Sequence, residues 1–570
     1  MSVLPPRSPW IKLCETGLAS SQQPAHHHLP WWKRAVIYQI YPLSFQDTNA
    51  DGKGDLGGIL SRLDYLEWLQ IDALWLGPIY PSPMVDFGYD ISDFKGVDPV
   101  FGSLDDLDRL TDALHSRDIR LILDFVPNHT SAAHPWFLES RSGRQSSKRD
   151  WYIWADPAPN GGPPNNWLSR FGGSAWEWDP ATGQYYYHAF LKEQPDLNWR
   201  NPEVRAEMAE VMRFWLRRGI DGFRLDAAGV LAEDEFLRDD PPNLEANSRT
   251  PPPEHLKRLY TDSQPEVLDW LAQLRSVVDE FPDRVLLAEV DTSQDKIPPF
   301  YGDKDRPIID LPLNYRLLDT PWTAHELSKM LQAYYKSLPE DAWPDWVIGS
   351  HDKKRIASVI GSDQARIAAM LLFTLWGTPI FYAGDELGMR GGVANAARVL
   401  DPFEQRVPGY GLNRDPERSP MQWNGALHAG FTTGTPWLPL APDYDVRNVE
   451  GETVDPNSLL ALYRRLIALR RTEPALSGSG FTILPVQNDI VSYARTDAAE
   501  RLIVMLNVSA QGTKCRMPGI ADGEVLLSTH HERIAGILGE EEIVLRANEG
   551  VIIRARAAGS DERQSGESSP

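Results

Sequence analysis

From Trp32 to about residue 382 the chain repeats one unit: a short apolar run, a loop with polar residues at the run's C-terminal end, and a longer segment with apolar residues at helical spacing. The runs predicted as strands are 36–41, 73–76, 121–125, 222–225, 285–288, 308–311, 346–348 and 379–382. Between them, 60–69, 104–115, 202–218, 265–280, 324–336 and 363–376 carry helical patterns. Parallel strands need a crossover long enough to hold a helix, so eight strands alternating with helices predict an α/β fold, a (β/α)8 TIM barrel. In a barrel of this kind the chemistry sits at the C-terminal ends of the strands.

Two departures from the repeat mark added parts. The connection after the third strand, 130–198, is rich in Pro, Gly, Trp and Asn and far longer than a simple loop, so it is expected to be an inserted lid subdomain. The barrel then comprises 32–129 and 199–475. Beyond it, over 476–556, short alternating runs beginning at Phe481, Ile490, Leu502, Glu542 and Val551 predict a C-terminal antiparallel β-sandwich. Residues 1–31 read as a loosely ordered extension, in which the His26-His27-His28 run is more simply a solvated stretch than a metal site, and 557–570 as a disordered tail.

The formal net charge of −23 argues against nucleic acid or an anionic membrane surface as a partner, since both call for a basic footprint. Cys14 and Cys515 stand too far apart to suggest a disulfide framework or a zinc motif. No secretory leader pattern and no apolar run of membrane-spanning length are found, so a cytoplasmic protein is expected. Twenty Trp, 19 Tyr and 18 Phe are a high aromatic load, most of it expected in the core and some of it on stacking platforms. The clusters Phe171 to Trp178 and Tyr185 to Tyr187, set among Gly and Asn, read as cleft walls against which sugar rings could stack.

The stretch from Val211 to Asp226 runs a helix into a strand that ends on a carboxylate, and alternation points Arg224 and Asp226 the same way. Such a pair either closes a structure or maintains an ionised nucleophile, because a nearby cation lowers a carboxylate pKa. Three further strand ends carry polar residues: Asp124 with Asn128 and His129, then Glu289, then His351 with Asp352. Each alone is weak. Together at one end of one barrel they make an acid, base and nucleophile site, with no phosphate-binding loop and no dinucleotide fingerprint beside it.

At these residues the sequence closely resembles glycoside hydrolase family thirteen, the α-amylase family, and within it the oligosaccharide α-glucosidases. The resemblance spans about 32–554 and rests on Asp124-Phe-Val-Pro-Asn-His129, Gln194-Pro-Asp-Leu-Asn198, Gly222-Phe-Arg-Leu-Asp226, Ala288-Glu289, His351-Asp352, Gly384-Asp-Glu-Leu-Gly388 and the stretch Arg414 to Trp423. It implies Asp226 as nucleophile, Glu289 as general acid/base and Asp352 as the carboxylate that stabilises the distorted sugar. It further implies that Asp86, Tyr89, His129, Arg224, His351 and Arg414 bind the glucose, with Asp86 and Arg414 closing a blind pocket that enforces exo action. The expected activity is retaining hydrolysis of α-glucosidic bonds in maltose and short oligosaccharides. Ala227, a small residue after the nucleophile, leans the expectation to α-1,4 linkages.

The loop Asp47 to Asp55 has alternate oxygen donors and a turn glycine like the start of an EF-hand, but Gly58 stands where the closing glutamate would be. A metal-free Asx turn is the competing, less favoured reading of the same residues. The resemblance implies a structural Ca2+ or Mg2+ held by Asp47, Asn49, Asp51, Asp55 and the Lys53 carbonyl. The chain also departs from the family: Ser350 is a shorter donor than the usual Asn, which bears on how Asp352 is oriented; Lys353-Lys354 follow His-Asp; Val290-Asp291 follow Glu289. A trehalose synthase or sucrose isomerase on the same scaffold is the alternative within enzymes, and a non-catalytic transporter partner the alternative outside them. All three carboxylates are present, which speaks against the latter.

Overall fold

The computed structural model describes residues 29–290, 296–392, 399–498, 500–533 and 536–555. His26 to His28, nearly all of the expected N-terminal extension, the expected C-terminal tail and Asp291 lie outside them.

The eight strands form one parallel sheet: β1 (Ile37–Ile40), β2 (Ala73–Leu76), β3 (Arg120–Phe125), β4 (Gly222–Leu225), β5 (Val285–Ala288), β6 (Leu311–Pro312), β7 (Asp345–Val347) and β8 (Thr378–Tyr382). Their order is β7-β8-β1-β2-β3-β4-β5-β6. The Val347 N–H donates to the Asn314 carbonyl (3.2 Å) across the remaining gap and brings β6 round to β7.

Alternation along the strands decides what the barrel holds. At the N-terminal end the interior is apolar, with Ile37, Ala73, Ile122, Val285, Leu311, Val347 and Ile380 packed together. One step toward the C-terminal ends, Gln39, Trp75, Asp124 and Arg224 follow on the same face, as period-two geometry requires. A packed floor therefore carries a charged upper layer.

Two local differences from the sequence reading have visible causes. The sixth strand begins later than 308 because Ile308 and Ile309 donate to the carbonyls of Tyr301 and Phe300 (3.1 and 3.0 Å), and the chain joins β5 only when Asp310 donates to Leu286 (3.0 Å). The helix expected at 60–69 is two helices, Leu56–Ser61 and Leu63–Leu69. The first starts at Asp55, whose carboxylate caps it by accepting the Gly58 N–H (2.6 Å). The break falls at Arg62, whose guanidinium reaches Gln46 Oε1 (2.9 Å) and lies 4.1 Å from the Trp423 ring centroid. The helix Leu104–His115 is predicted to the residue and opens on a capping box between Ser103 and Asp106.

Between β3 and β4 the inserted region carries a three-stranded antiparallel sheet of Trp154–Ala155, Gln184–Tyr187 and Trp176–Asp179. The C-terminal part is a five-stranded antiparallel sheet facing a two-stranded one, Thr513–Arg516 with Glu542–Leu545. Ile503, Met505, Cys515, Ile543, Val551 and Ile553 fill the space between them. Two buried arginines join sandwich and barrel: Arg470 donates to the carbonyls of Phe373, Gly377 and Leu476, and Arg495 to those of Thr374, Gly478 and Gly480.

Gly222 opens the strand that leads to Asp226, and a β-carbon there would lie 2.3 Å from the Val285 carbonyl of β5. Gly222→Ala should push β4 from β5 and lower stability by about 1–3 kcal/mol, the usual overpacking range, in a urea unfolding curve. A near-neutral result would show that the strands can separate there.

Candidate active site

β4 ends in a turn that places Asp226 and ties it to β5. The Asp226 N–H donates to Phe125 (2.8 Å), the Glu289 N–H to Leu225 (2.8 Å) and the Ala228 N–H to Glu289 (3.0 Å), so the tips of β3, β4 and β5 are locked together. Ala227 between them adopts φ 48°, ψ 38°, the left-handed region that residues with a β-carbon rarely occupy.

Arg224 organises this half of the site. Its Nη1 donates to Asp226 Oδ1 (2.8 Å) and Asp124 Oδ1 (3.3 Å), and its Nη2 to Glu289 Oε2. Asp124 also accepts from Trp75 Nε1 (2.9 Å) and Tyr89 Oη (2.7 Å). The other half centres on Asp352. Its Oδ1 accepts from Arg414 Nη1 (3.0 Å) and Arg418 Nη2 (2.7 Å), and its Oδ2 lies 3.0 Å from His351 Nε2. Arg414 also donates through Nη2 to Asp86 Oδ1 (3.2 Å), while Gln194 Nε2 reaches Asp86 Oδ2 and His129 Nε2 (3.1 Å each). Ser350 Oγ accepts the Asp352 N–H (3.2 Å), and the Asp352 carboxylate is oriented by Arg414, Arg418 and the His351 ring.

These groups enclose a cavity of about 340 Å³ lined by Asp86, Tyr89, His129, Asp226, Glu289, Asp352 and Arg414. Phe171, Phe190, Phe403, Val230 and Val290 give it apolar walls. All nine residues singled out in the sequence as catalytic or sugar-binding are brought together, seven of them on the cavity surface. Arg224 and His351 stand behind it, each 1 % exposed. The sequence reading gives His351 hydrogen bonds to the sugar; in the structure its ring lies between Tyr41 and Tyr89, with Gln39 Nε2 2.9 Å from Nδ1 and Tyr89 Oη 2.7 Å from Nε2. The aromatic clusters also divide. Phe171 walls the cavity, whereas Trp176 and Tyr187 pack with Trp167 inside the inserted region and Trp178 is 42 % exposed beside Tyr185.

Gln194 and Arg418 sit in quoted motifs without having been picked out; their partners, Asp86 and Asp352, are the signal that would have found them. Asp401, which holds Arg414, left only the Asp-Pro that opens a short helix.

The electrostatics differ between the two halves. Burial pushes the Asp226 carboxyl well above the usual carboxylate range; Arg224 pulls it down, and Glu289, Asp124 and Asp352 add to the rise. Arg224 pulls this pKa down in the direction the sequence reading expects, but burial outweighs it, and the one guanidinium is shared among three carboxylates. At Asp352 burial again opposes ionisation, but His351, Arg414 and Arg418 outweigh it and hold the carboxyl well below the usual range. Burial lowers His129 to about 4, leaving a neutral ring at pH 7.

The 47–55 loop is closed by its own hydrogen bonds. Asp47 Oδ1 accepts from the N–H groups of Asn49 (2.8 Å) and Ala50 (2.9 Å), and its Oδ2 from Gly52 (2.9 Å) and the Thr432 hydroxyl. Asn49 and Asp51 cap Asp51 and Lys53 in the same way, and Asp55 binds Thr48 and Gly58. Among the described residues no three His, Cys, Asp or Glu side chains gather as a metal site requires. The oxygen-only donors suit a hard cation in kind, but this arrangement of them is a run of Asx turns rather than a cage.

The sequence model described as "Alpha amylase, catalytic domain" matches residues 39–479. A probable alpha-glucosidase of Rhizobium meliloti is 40% identical over 504 residues, covering 86% of this chain and 91% of its own. An oligo-1,6-glucosidase of Parageobacillus thermoglucosidasius is 38% identical over 524 residues, covering 86% and 92%. Among solved structures, the alpha-glucosyl transfer enzyme XgtA superposes with a TM-score of 0.87 at 37% identity, over 93% of this chain and all of that one.

A carboxyl group whose pKa is raised on folding destabilises the native state once pH exceeds its unfolded pKa, most of all above its folded pKa, and the penalty is lost as pH falls back to the unfolded value. Asp226→Asn should therefore raise the melting temperature at pH 7.5, by the equivalent of about 0.5–2 kcal/mol, with a smaller gain in acid. A melting temperature that falls at pH 7.5 would mean that the Arg224 ion pair outweighs burial.

Proposed function

The chain belongs to the α-amylase family and is a glycoside hydrolase, and from that premise we propose that it is a retaining, exo-acting α-glucosidase on maltose and short α-glucosides, with α-1,4 bonds preferred. The observation that carries the reading is the single guanidinium of Arg224 hydrogen-bonded to both Asp226 and Glu289. Holding two carboxylates on one fork favours the close spacing of a nucleophile and acid/base pair, about 5–5.5 Å, over the wider gap that an inverting enzyme leaves for water.

In this mechanism the glucose enters with its non-reducing end against Asp86 and Arg414, whose ion pair closes that end of the pocket and limits cleavage to one terminal unit. Glu289 gives its proton to the glycosidic oxygen as Asp226 attacks the anomeric carbon. The C1–O bond breaks, the leaving sugar departs with the proton, and a β-glucosyl ester forms on Asp226. Glu289, now ionised, takes a proton from an entering water, whose oxygen displaces Asp226 and gives α-glucose. Asp352, ionised beside Arg414 and Arg418, stabilises the positive charge that builds at the ring in both steps. Ala227, the small residue beside Asp226 on the cavity wall, supports the α-1,4 preference. The likeness to an α-glucosyl transfer enzyme supports transfer to a sugar as a side reaction when an acceptor displaces water.

Two distant cysteines and the acidic charge support a cytoplasmic enzyme without a nucleic-acid partner; among the described residues no helix is long and apolar enough to cross a membrane. A divalent ion in the 47–55 loop enters the proposal on donor chemistry alone and would brace that loop, away from the strand ends. Dialysis against EDTA should then lower the melting temperature, by the equivalent of about 2.7 kcal/mol if the ion stood at a hundred times its Kd, before any change in activity at 25 °C. An unchanged melting curve would remove the ion from the account.

Incubation with maltose and isomaltose, followed by proton NMR, tests the activity. The expected result is faster release of glucose from maltose, α-glucose as the first anomer, and a roughly hundred- to ten-thousandfold lower kcat for Glu289→Gln. First-formed β-glucose would overturn retention, and trehalose or other transfer products in place of glucose would move the chain to the isomerising or transferring enzymes.

A further inference from the structure

Arg414 is the cation at the blind end of the cavity, and its two pocket contacts do not fix it. Nη1 reaches Asp352 (3.0 Å) and Nη2 reaches Asp86 (3.2 Å), two carboxylates that line the cavity and that a bound sugar would engage. A guanidinium held only by groups that exchange partners with the substrate would be free to swing between them.

The remaining donors of Arg414 are taken by a carboxylate that does not line the cavity. Asp401 is wholly buried, and its Oδ1 accepts from Arg414 Nη2 (2.8 Å) and Nε (3.2 Å). Its Oδ2 accepts from Arg414 Nε (3.2 Å) and from the Arg414 backbone N–H (2.7 Å), so one carboxylate grips both ends of the side chain. Burial opposes its ionisation, and Arg414 and Arg418 outweigh burial and keep it charged. The same carboxylate caps the helix Pro402–Arg406 by accepting the Phe403 N–H (3.1 Å). Phe403 walls the cavity, with its ring 5.0 Å from that of Phe171.

We propose that Asp401 is a positioning residue for sugar binding, which aims the Arg414 guanidinium between Asp86 and Asp352 and couples that aim to the Phe403 wall. Asp401 never meets the substrate. It fixes the direction of the cation that, on the proposed α-glucosidase reading, closes the non-reducing end of the pocket.

The test rests on that reading and separates from it. Asn and Ser both serve as helix caps, so Asp401→Asn and Asp401→Ser keep the Pro402–Arg406 start while removing the charge that grips Arg414. With maltose, kcat/KM should fall roughly 10- to 100-fold in each variant, the loss expected for a charge-assisted hydrogen bond, and chiefly through KM. The inhibition constant of glucose should rise by a similar factor. Asp86→Ala combined with Asp401→Asn should lose little more than Asp86→Ala alone, because both act through Arg414. Fully additive losses, wild-type kinetics, or failure of both Asp401 variants to fold would overturn the role. Absence of maltose hydrolysis by the wild-type chain would instead overturn the α-glucosidase reading, whereas a working wild type with indifferent Asp401 variants would sink the positioning role alone.

Discussion

One buried guanidinium holds the centre of this molecule together. Arg224 is all but inaccessible to solvent and donates to Asp124, Asp226 and Glu289, which come from three adjacent strands. Three carboxylates so close would repel strongly in a medium of low polarity, and removing the cation would leave them buried and unpaired. The positions of β3, β4 and β5 at their C-terminal ends therefore depend on this ion pairing as well as on the apolar floor below. Arg224 itself lies 5.3 Å from the Trp75 ring centroid, within the same interior layer.

The second cationic group serves a different end. Arg414 and Arg418 face Asp86, Asp352 and Asp401, and with His351 they hold the Asp352 carboxyl below the usual range while that of Asp226 is raised. The two carboxyl groups are the same chemical species with opposite shifts. The difference is what surrounds each: Asp352 has Arg414, Arg418 and the His351 ring as close partners, whereas Asp226 has one guanidinium, which it shares with Asp124 and Glu289. Unequal environments of this kind let one fold supply both a permanently charged stabiliser and a group whose charge responds to its surroundings.

Apolar burial does two jobs in the same molecule. Beneath the site it closes the barrel, and around the site Phe171, Phe190, Phe403 and Val290 exclude water so that each polar contact counts for more. Phe171 comes from the inserted region and Phe403 from the segment after β8, and Arg406 binds the two together through the carbonyls of Phe171 and Gly172. The pocket wall is thus a product of packing between parts of the chain more than two hundred residues apart.

The repeat of short apolar runs and helical segments determined the barrel, because a parallel pair admits little besides a helical crossover, and the alternation of Arg224 with Asp226 determined that both face one side. Strand-end position was enough to gather Asp226, Glu289 and Asp352, since all eight strands of such a barrel end at the same rim. Sequence could not show where the sixth strand starts, because Ile308 and Ile309 choose a loop partner over the sheet, nor that His351 lies behind the cavity, since strand-end location does not fix depth. It could not fix the sign of the shift at Asp226, for burial outweighs the residue two places away and three carboxylates add to the rise. Asp401 was legible only as a helix cap. Local pattern depends on near neighbours in the chain and can be read from them; depth, shared partners and the sum of charges are properties of distance in space, and only the folded arrangement decided those.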